Sequence, residues 1–414
     1  MKIDKKELLE KNSSFCMMPW IHQYVNTDGN VYPCCIANYD IPMGNVNSQT
    51  IKEIWNSEEY KHLRLNMING IKSDNCKKCY VHQNLEEKTE TSFRKTVNDD
   101  YKEFIDIVEQ TNEDGSLPEL TLKYFDVRWS NLCNFKCRTC GPMFSSSWSS
   151  DYRTYYNDKT IPALLKASTD NNNLLDQFKP YLPNMKAIYF AGGEPLIMDE
   201  HYQVLDYLIN NGTTDVTLRY SSNVSNLKYK NKSIMEYWKH FPKIELYASI
   251  ESFGKRAEYI RHGTKWDEVS KNLQTIKNQC DNVDIQYNIV VGLWNCLTIS
   301  DLLIELESSL LFNPLEDRIV LYKQIDPAWQ NLRIIPKELR EKSIGKIIHY
   351  TNCSNLSLEV KNSLVEIINL LKLPQDEFEK LQQHAKKRIS AIDKIRNESF
   401  VDTFPELKEW YESI

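Results

Sequence analysis

Short stretches rich in β-branched and aromatic residues recur through the middle of the chain, separated by polar segments of helical length such as MDEHYQVLDYLINN. This pattern predicts six strands, at 122–128, 186–190, 216–220, 244–250, 283–291 and 318–324. Strands that alternate with helices favour a parallel sheet. We therefore expect an α/β fold in which residues 120–330 form a partial (β/α)6 barrel of the TIM type.

The N-terminal part of the chain has a different pattern. IHQYV and VYP flank a turn at Asp28-Gly29, which predicts a hairpin. Residues 48–70 have apolar positions at helical spacing and predict one helix that ends at Gly70. The charged stretch at 86–119 predicts a helix plus a linker. We expect a hairpin–helix domain at 1–94, followed by a linker at 95–119.

After Pro336 the pattern is helical, so residues 331–414 are predicted to form a helical C-terminal extension. Apolar residues between Phe378 and Ile395 share one helix face. We expect that face to pack on the barrel, and a groove that binds a partner is the alternative.

Composition limits the class of protein. The chain is 41% hydrophobic and 26% charged, as in globular proteins with a sizeable core. No apolar run approaches the ~18 residues that cross a bilayer, and the N-terminus lacks the apolar core of a secretory signal. We expect a cytoplasmic protein with no membrane contact. Its formal net charge of -6 gives no support for general nucleic-acid binding.

In a reducing compartment, clustered members of the 11 cysteines are expected to be metal ligands or catalytic thiols rather than disulfides. Three of them, Cys133, Cys137 and Cys140, follow the first predicted barrel strand, at the end where barrels place active sites. Three thiolates bind a 4Fe-4S cluster and leave one iron without a protein ligand. A structural zinc site needs four ligands, and no histidine lies between His82 and His201. The spacing therefore favours an iron–sulfur cluster over zinc.

A second motif, Phe-Ala-Gly-Gly-Glu-Pro, ends the second predicted strand. Together with Cys-x3-Cys-x2-Cys after the first strand, it resembles the radical SAM superfamily. The resemblance implies that the first cluster reductively cleaves S-adenosylmethionine to a 5′-deoxyadenosyl radical, which abstracts a substrate hydrogen. It also implies that Gly192, Gly193 and Glu194 contact the amino group of S-adenosylmethionine.

Later residues extend the resemblance. Asn223 closes the third strand where the family often has Thr-Asn-Gly. Ser249 and Glu251 resemble a Ser-x-Asp that meets the ribose, and Arg261 matches an arginine that faces the cofactor's carboxylate. The chain departs from the family at Glu251, where Asp is commoner, and at Thr139, where an aromatic residue is usual.

A second cysteine set brackets the predicted hairpin and is closed by a Cys-x2-Cys loop: Cys16, Cys34, Cys76 and Cys79. This arrangement resembles the twitch domain, a shortened relative of the SPASM domain, in a subgroup that carries it at the N-terminus. The resemblance implies a second, auxiliary 4Fe-4S cluster. A zinc ribbon is the alternative. Adjacent strand residues point to opposite faces, so only one of Cys34 and Cys35 is expected to bind. Spacing favours Cys34, and Cys35 as the ligand, or as a free thiol near the substrate, is the alternative.

Four thiolates on the auxiliary cluster predict an electron-accepting role, and hence a net oxidation or crosslink. The resemblance implies an external one-electron reductant, flavodoxin- or ferredoxin-like, and a peptide or small-molecule substrate. Residues at the end of the last strand are candidate substrate contacts: Tyr322, Gln324 and Asp326. Isolated cysteines are expected to be ordinary buried thiols: Cys280, Cys296 and Cys353. Two other classes stay open, a zinc-stabilised interaction module and an iron–sulfur electron-transfer protein that does not cleave S-adenosylmethionine.

Overall fold

The computed structural model describes residues 4–80, 93–324 and 326–414. The strands are β1 (His22–Val25), β2 (Asn30–Tyr32), β3 (Gly44–Asn45), β4 (Tyr124–Val127), β5 (Ala187–Phe190), β6 (Thr217–Ser222), β7 (Lys228–Tyr229), β8 (Lys232–Ser233), β9 (Lys243–Ser249), β10 (Val283–Val291) and β11 (Arg318–Lys323). The α-helices are α1 (Lys5–Glu10), α2 (Met18–Ile21), α3 (Ile51–Trp55), α4 (Glu58–Ile68), α5 (Phe93–Tyr101), α6 (Trp148–Tyr156), α7 (Asn171–Phe178), α8 (Asp199–Asn210), α9 (Ile234–Trp238), α10 (Gly254–Ile260), α11 (Trp266–Gln279), α12 (Ile299–Ser308), α13 (Lys337–Cys353), α14 (Leu358–Lys372), α15 (Phe378–Arg396), α16 (Phe400–Thr403) and α17 (Lys408–Ser413). No helix within these described ranges is long and apolar enough to cross a membrane.

The chain divides into two compact units. The first unit is Met1–Ser130, Leu165–Gly192 and Met198–Leu218. The second unit is Asn131–Leu164, Gly193–Ile197 and Arg219–Ile414. Strand β6 begins in the first and ends in the second.

In the first unit the strands lie in the order β3-β2-β1-β4-β5-β6. β1 and β2 form the antiparallel hairpin, and Gly29 in its turn has a φ of 82°, which a residue with a side chain rarely adopts. β1 also pairs in parallel with β4, and β4 with β5. The register places Tyr24, Asp126 and Tyr189 side by side on three neighbouring strands.

The prediction of one helix over 48–70 is wrong, because the structure has two helices there, α3 and α4. The break lies at Asn56 and Ser57. Ser57 has extended backbone, and its hydroxyl accepts a hydrogen bond from the Tyr60 amide, so it caps the start of α4. The second helix ends at Ile68, and Gly70 follows with a φ of 72°.

Within the charged segment at 86–119, residues 86–92 lie outside the described part of the chain. Residues 93–110 are helical: α5 is followed directly by a 3-10 helix over Lys102–Gln110.

In the second unit the strands lie in the order β6-β9-β10-β11, with β9, β10 and β11 parallel. All six predicted barrel strands are present, and they follow chain order. Each carries the β-branched and aromatic residues that pack on a pleated, buried surface. The C-terminal region is helical, from α13 to α17. Cys280 and Cys296 are buried as predicted, whereas Cys353 is exposed at the end of α13, so that part of the prediction is wrong.

Candidate functional site

The loop at 131–147, which we call the cluster loop, follows β4 in the chain. It carries Cys133, Cys137 and Cys140. The Cys140 amide donates to the Cys137 carbonyl at 3.0 Å, which makes a tight turn between these two cysteines. The Phe135 amide donates to the Cys133 sulfur at 3.4 Å. Burial raises the pKa of the Cys133 thiol, and the nearby Cys137, Glu194 and Cys140 raise it further. Cys137, Cys140 and Glu194 therefore lie close enough to Cys133 to act on its thiol.

Backbone contacts hold this loop in place. The Lys136 amide donates to the His262 carbonyl at 2.9 Å, and the Arg138 amide donates to the Ile260 carbonyl at 2.7 Å. The indole nitrogen of Trp148, at the start of α6, donates to the Cys137 carbonyl at 2.7 Å. These bonds fix the main chain on both sides of Cys137.

Arg138 also ties the loop to the C-terminal helices. Its guanidinium donates to Asp393 at 2.6 Å and to Glu398 at 2.5 Å. It lies 3.6 Å from the centre of the Tyr259 ring, and its side chain is only 3% exposed. Glu398 in turn pairs with His262 at 2.5 Å. A buried cation is stable only when it is paired in this way.

Glu194 is fixed by donors on three sides. Its carboxylate accepts from the Ser222 hydroxyl at 2.8 Å and from the Asn223 and Leu196 amides at 2.8 and 3.2 Å. Burial raises the pKa of the Glu194 carboxyl, and these hydrogen bonds act in the opposite direction. The side-chain amide of Asn223 donates to Asn134, within the cluster loop, at 3.0 Å. Glu194 and Asn223 thus meet beside the first cysteine.

The two glycines of the Gly-Gly-Glu-Pro element meet different neighbours. Gly192, in the first unit, has a φ of 117°, and a β-carbon there would lie 3.2 Å from the Arg128 side chain. Gly193, in the second unit, packs on backbone: a β-carbon would lie 2.0 Å from the Leu132 carbonyl oxygen. The Glu194 amide donates to that same oxygen at 2.7 Å. Only glycine allows this approach to the residue that precedes Cys133.

Arg261 and Glu251 form a buried pair. One terminal guanidinium nitrogen of Arg261 donates to Glu251 at 2.8 Å. The Arg261 Nε is buried and has no partner among the described residues. Both Cys137 and Cys133 lie close enough to Arg261 to raise its pKa, against the effect of burial. Ser249 ends β9 opposite Asn288, and no side-chain hydrogen bond within the described residues joins it to this set.

Residues ending the last strand lie in the second unit. Tyr322 is half exposed, and Gln324 is buried and donates to the Asp326 carbonyl at 2.5 Å. Their role as substrate contacts stays a prediction.

In the first unit, four cysteines line one small cavity of about 20 Å³: Cys16, Cys34, Cys76 and Cys79. Cys16 precedes α2, Cys34 follows β2, and Cys76 ends a 3-10 helix. Burial raises the pKa of the Cys34 thiol, with further contributions from Cys35, Cys76 and Cys16. Burial likewise raises the pKa of Cys16 to about 12. These thiols are neutral until a metal displaces their protons.

Cys35 does not line that cavity. Burial raises its pKa to about 11, and the charged groups that act on it are Asp126 and Arg128. Those two side chains form a buried ion pair with nitrogen–oxygen distances of 2.9 and 3.0 Å. The cavity lining therefore favours Cys34 over Cys35 as the fourth member of this set, and the choice of ligand stays a prediction.

Both cysteine sets offer the thiolate donors that iron–sulfur clusters take. Among the described residues, no group of three or more Cys, His, Asp or Glu side chains is arranged to hold a single metal ion. For the first set, the unpartnered Arg261 nitrogen also offers a donor to an anionic group of a bound cofactor.

Some residues of the site could not be found from the sequence. Asn134 lies inside the cysteine motif, but an asparagine at that position does not by itself indicate a contact with Asn223. Asp393 and Glu398 lie more than 240 residues away from Arg138 of the cluster loop, which they contact, and Arg396 lies equally far from Asp151 of α6. No spacing pattern marks these three residues. Arg396 donates to Asp151 at 2.6 Å and lies over the Trp148 ring.

Residues 16–80 match the model of the SPASM family, an iron–sulfur cluster-binding domain. The match spans all four cysteines of the N-terminal set. The prediction of an N-terminal SPASM-type domain with an auxiliary iron–sulfur cluster is thereby confirmed. No curated protein matches the chain significantly.

Several solved structures are similar to this chain. Streptococcus suis SuiB bound to S-adenosylmethionine is 15% identical with a TM-score of 0.37, over 72% of this chain and 65% of that one. Native anSMEcpe with bound AdoMet and Cp18Cys peptide is 14% identical with a TM-score of 0.36, over 54% of this chain and 57% of that one. TYW1 with a lysine-pyruvate adduct bound is 12% identical with a TM-score of 0.31, over 56% of this chain and 72% of that one. The chain thus spans less than two thirds of the SuiB and anSMEcpe chains.

Proposed function

We propose that this chain is a radical S-adenosylmethionine enzyme. In this proposal, residues 120–330 form a partial (β/α)6 barrel, and Cys133, Cys137 and Cys140 hold a 4Fe-4S cluster. The SPASM-type domain holds the auxiliary cluster. When bound and reduced by one electron, the first cluster and S-adenosylmethionine supply a 5′-deoxyadenosyl radical that removes a substrate hydrogen.

The observation that carries the proposal is which charged side chains lie near Cys133, Cys137 and Cys140. Beside them lie a carboxylate, Glu194, and a guanidinium, Arg261, whose Nε is buried without a partner among the described residues. An amino acid moiety needs a carboxylate for its amine and a cation for its carboxylate. A plain electron carrier or a structural zinc site has no use for such a pair.

Hydrogen bonds within the chain hold each of these two side chains in one orientation. Three donors hold Glu194, so its oxygens keep one orientation toward an amine. Glu251 takes one terminal nitrogen of Arg261, which leaves the Nε of that guanidinium for the carboxylate of the cofactor. Gly193 lets the Glu194 main chain approach the residue before Cys133. Ser249 and Asn223 complete the proposed cofactor contacts.

The four-cysteine set favours a net oxidation. With Cys16, Cys34, Cys76 and Cys79 all as ligands, no position stays open for substrate, so an electron-accepting role is favoured. Removal of one hydrogen atom and one further electron from the substrate is a two-electron oxidation, which yields a dehydrogenated product or a crosslink. We infer a peptide or a small polar metabolite as the substrate, and an external flavodoxin- or ferredoxin-like protein as the reductant.

The test is anaerobic reconstitution of the full chain with iron and sulfide, followed by reduction with dithionite and an assay for 5′-deoxyadenosine. We expect about eight irons per chain, four for each cluster, together with 5′-deoxyadenosine release. The triple variant C133A/C137A/C140A should lose about four irons and all cleavage. The matched control C353A changes an exposed cysteine outside both sets and should behave as wild type. Tightly bound zinc with no 5′-deoxyadenosine would refute the proposal.

A further inference from the structure

A cavity of about 180 Å³ lies in the second unit, beside the cluster loop. Helices α6 and α15 and the segment at 327–330 supply most of its walls. Six of its lining residues are aromatic: Trp148, Tyr152, Tyr155, Tyr156, Trp294 and Trp329. An apolar cavity of ~150 Å³ is large enough to bind benzene. This cavity therefore has room for one ring of a planar aromatic group, with aromatic faces to stack on it.

The cavity borders the cluster loop and not the side chains that are proposed to bind S-adenosylmethionine. Thr139, Cys140 and Gly141 line it, so an occupant would lie against a ligand cysteine. None of the side chains proposed to bind S-adenosylmethionine lines it, neither Glu194 nor Arg261. The cavity is thus separate from the proposed S-adenosylmethionine contacts, and we expect a ligand there not to compete with S-adenosylmethionine.

The cavity also carries a positive charge that lacks a counter-ion. Arg388 of α15 lies 4.5 Å from the centre of the Tyr155 ring and donates to the Tyr156 hydroxyl at 2.7 Å. No carboxylate lies within 4.0 Å of its guanidinium among the side chains that the structure describes. Helix α15 has six lysines and arginines against two acidic residues, although the chain as a whole has a charge of -6. An anionic group would complement this wall of the cavity.

We propose that this cavity binds one edge ring of the three-ring flavin system of an electron donor, with the flavin's phosphate or a neighbouring anion on Arg388. A flavin joins a planar ring that stacks on tyrosine and tryptophan to an anionic group that pairs with arginine. One electron leaves the reduced flavin, which is oxidised by one electron, and enters the cluster at Cys133, Cys137 and Cys140, which is reduced by one. No bond forms or breaks. The inference rests on the proposed function, because it supplies the electron which that function needs.

Binding is tested with oxidised flavin mononucleotide and riboflavin, whose fluorescence is quenched when the ring stacks on an aromatic side chain. The two ligands share the ring, and only the first has a phosphate. R388E and R388Q in the reconstituted full chain should weaken flavin mononucleotide binding about tenfold or more and leave riboflavin binding nearly unchanged. K394E is the matched control, because Lys394 is exposed on the same helix and does not line the cavity. Flavin mononucleotide binding that is absent, or equal in wild type and both Arg388 variants, would overturn the proposal.

Electron delivery is tested by stopped-flow bleaching of cluster absorbance, with reduced flavodoxin or dithionite as the donor. For a flavin held in a donor protein, the Arg388 variants should slow reduction by flavodoxin about tenfold and leave reduction by dithionite unchanged. If these variants weaken flavin mononucleotide binding and leave the flavodoxin rate unchanged, the source is free flavin. Failure of the proposed function is separate, since it would appear as no 5′-deoxyadenosine even with dithionite.

Discussion

Gly193 offers the sharpest test of how the Gly-Gly-Glu-Pro element is joined to the cluster loop. In G193A the new β-carbon would lie 2.0 Å from the Leu132 carbonyl oxygen, 2.5 Å from its carbonyl carbon and 2.8 Å from the Asn131 carbonyl carbon. All three atoms are backbone, so no side chain can rotate away. The main chain next to Cys133 must move by more than an ångström to restore ordinary contact distances (~3.4 Å or more).

The free-energy cost follows from two losses. Displacing Leu132 breaks the hydrogen bond that the Glu194 amide donates to its carbonyl at 2.7 Å, which costs about 1 kcal/mol. Overpacking against rigid atoms adds roughly 1–3 kcal/mol. We expect a total near 2–4 kcal/mol, which lowers the melting temperature by roughly 4–16 °C for a unit of this size. Because Leu132 precedes Cys133, iron in the first cluster should fall as well.

The assay compares melting temperature and iron content under anaerobic conditions for wild type, G193A and G141A. Gly141 lies in the same loop, next to Cys140, but a β-carbon there would have nothing within 4 Å. The G141A variant should therefore match wild type in stability and iron. If G193A melts and loads iron as G141A does, the close approach of the two segments is not what holds the loop.

Three further predictions concern other parts of the molecule. C34A should lose about four irons, and C35A should keep them, as measured by iron analysis after reconstitution; equal loss in both would contradict the assignment of Cys34. Burial lowers the pKa of His22 to about 4, so the unfolded chain binds the proton more tightly than the folded one. The contribution of His22 to stability is therefore full above pH 6.5 and is lost as the pH falls toward 4. It amounts to about 3 kcal/mol, and H22Q should show a flatter dependence of urea midpoint on pH across that range. E398A leaves Arg138 with one carboxylate in a buried site and should cost about 3 kcal/mol, whereas E377A, in an exposed pair, should cost less than about 1 kcal/mol by the same melting measurement.

The sequence predicted the strands well because their pattern is local. Each of the six barrel strands is a run of β-branched and aromatic residues, and each lies beside its chain neighbour in the sheet. The helix over 48–70 was predicted less well, because the apolar spacing continues through Asn56 and Ser57. The competing signal was the serine cap at Ser57, which starts a new helix within an uninterrupted apolar pattern.

The cysteine spacing grouped the clustered cysteines into two sets and favoured Cys34, with Cys35 left open as an alternative. Both residues lie in the bend and turn that follow β2, so strand alternation does not decide which thiol faces the other cysteines. The choice is made by the surroundings. Cys34 lines the same cavity as Cys16, Cys76 and Cys79, and Cys35 does not, so the structure favours Cys34.

The restraint of the cluster loop by the C-terminal helices lay beyond any sequence pattern, and it changes how the last 80 or so residues are understood. Their apolar face predicted packing against the barrel, and two of their acidic residues also form ion pairs with the cluster loop. Asp393 and Glu398 neutralise Arg138, which lies between Cys137 and Cys140 in the chain and is almost fully buried. Without those carboxylates a buried cation beside the thiols would be unpaired, and the loop would have to open to hydrate it. We therefore expect the C-terminal extension to hold the loop of Cys133, Cys137 and Cys140 closed, in addition to stabilising the unit.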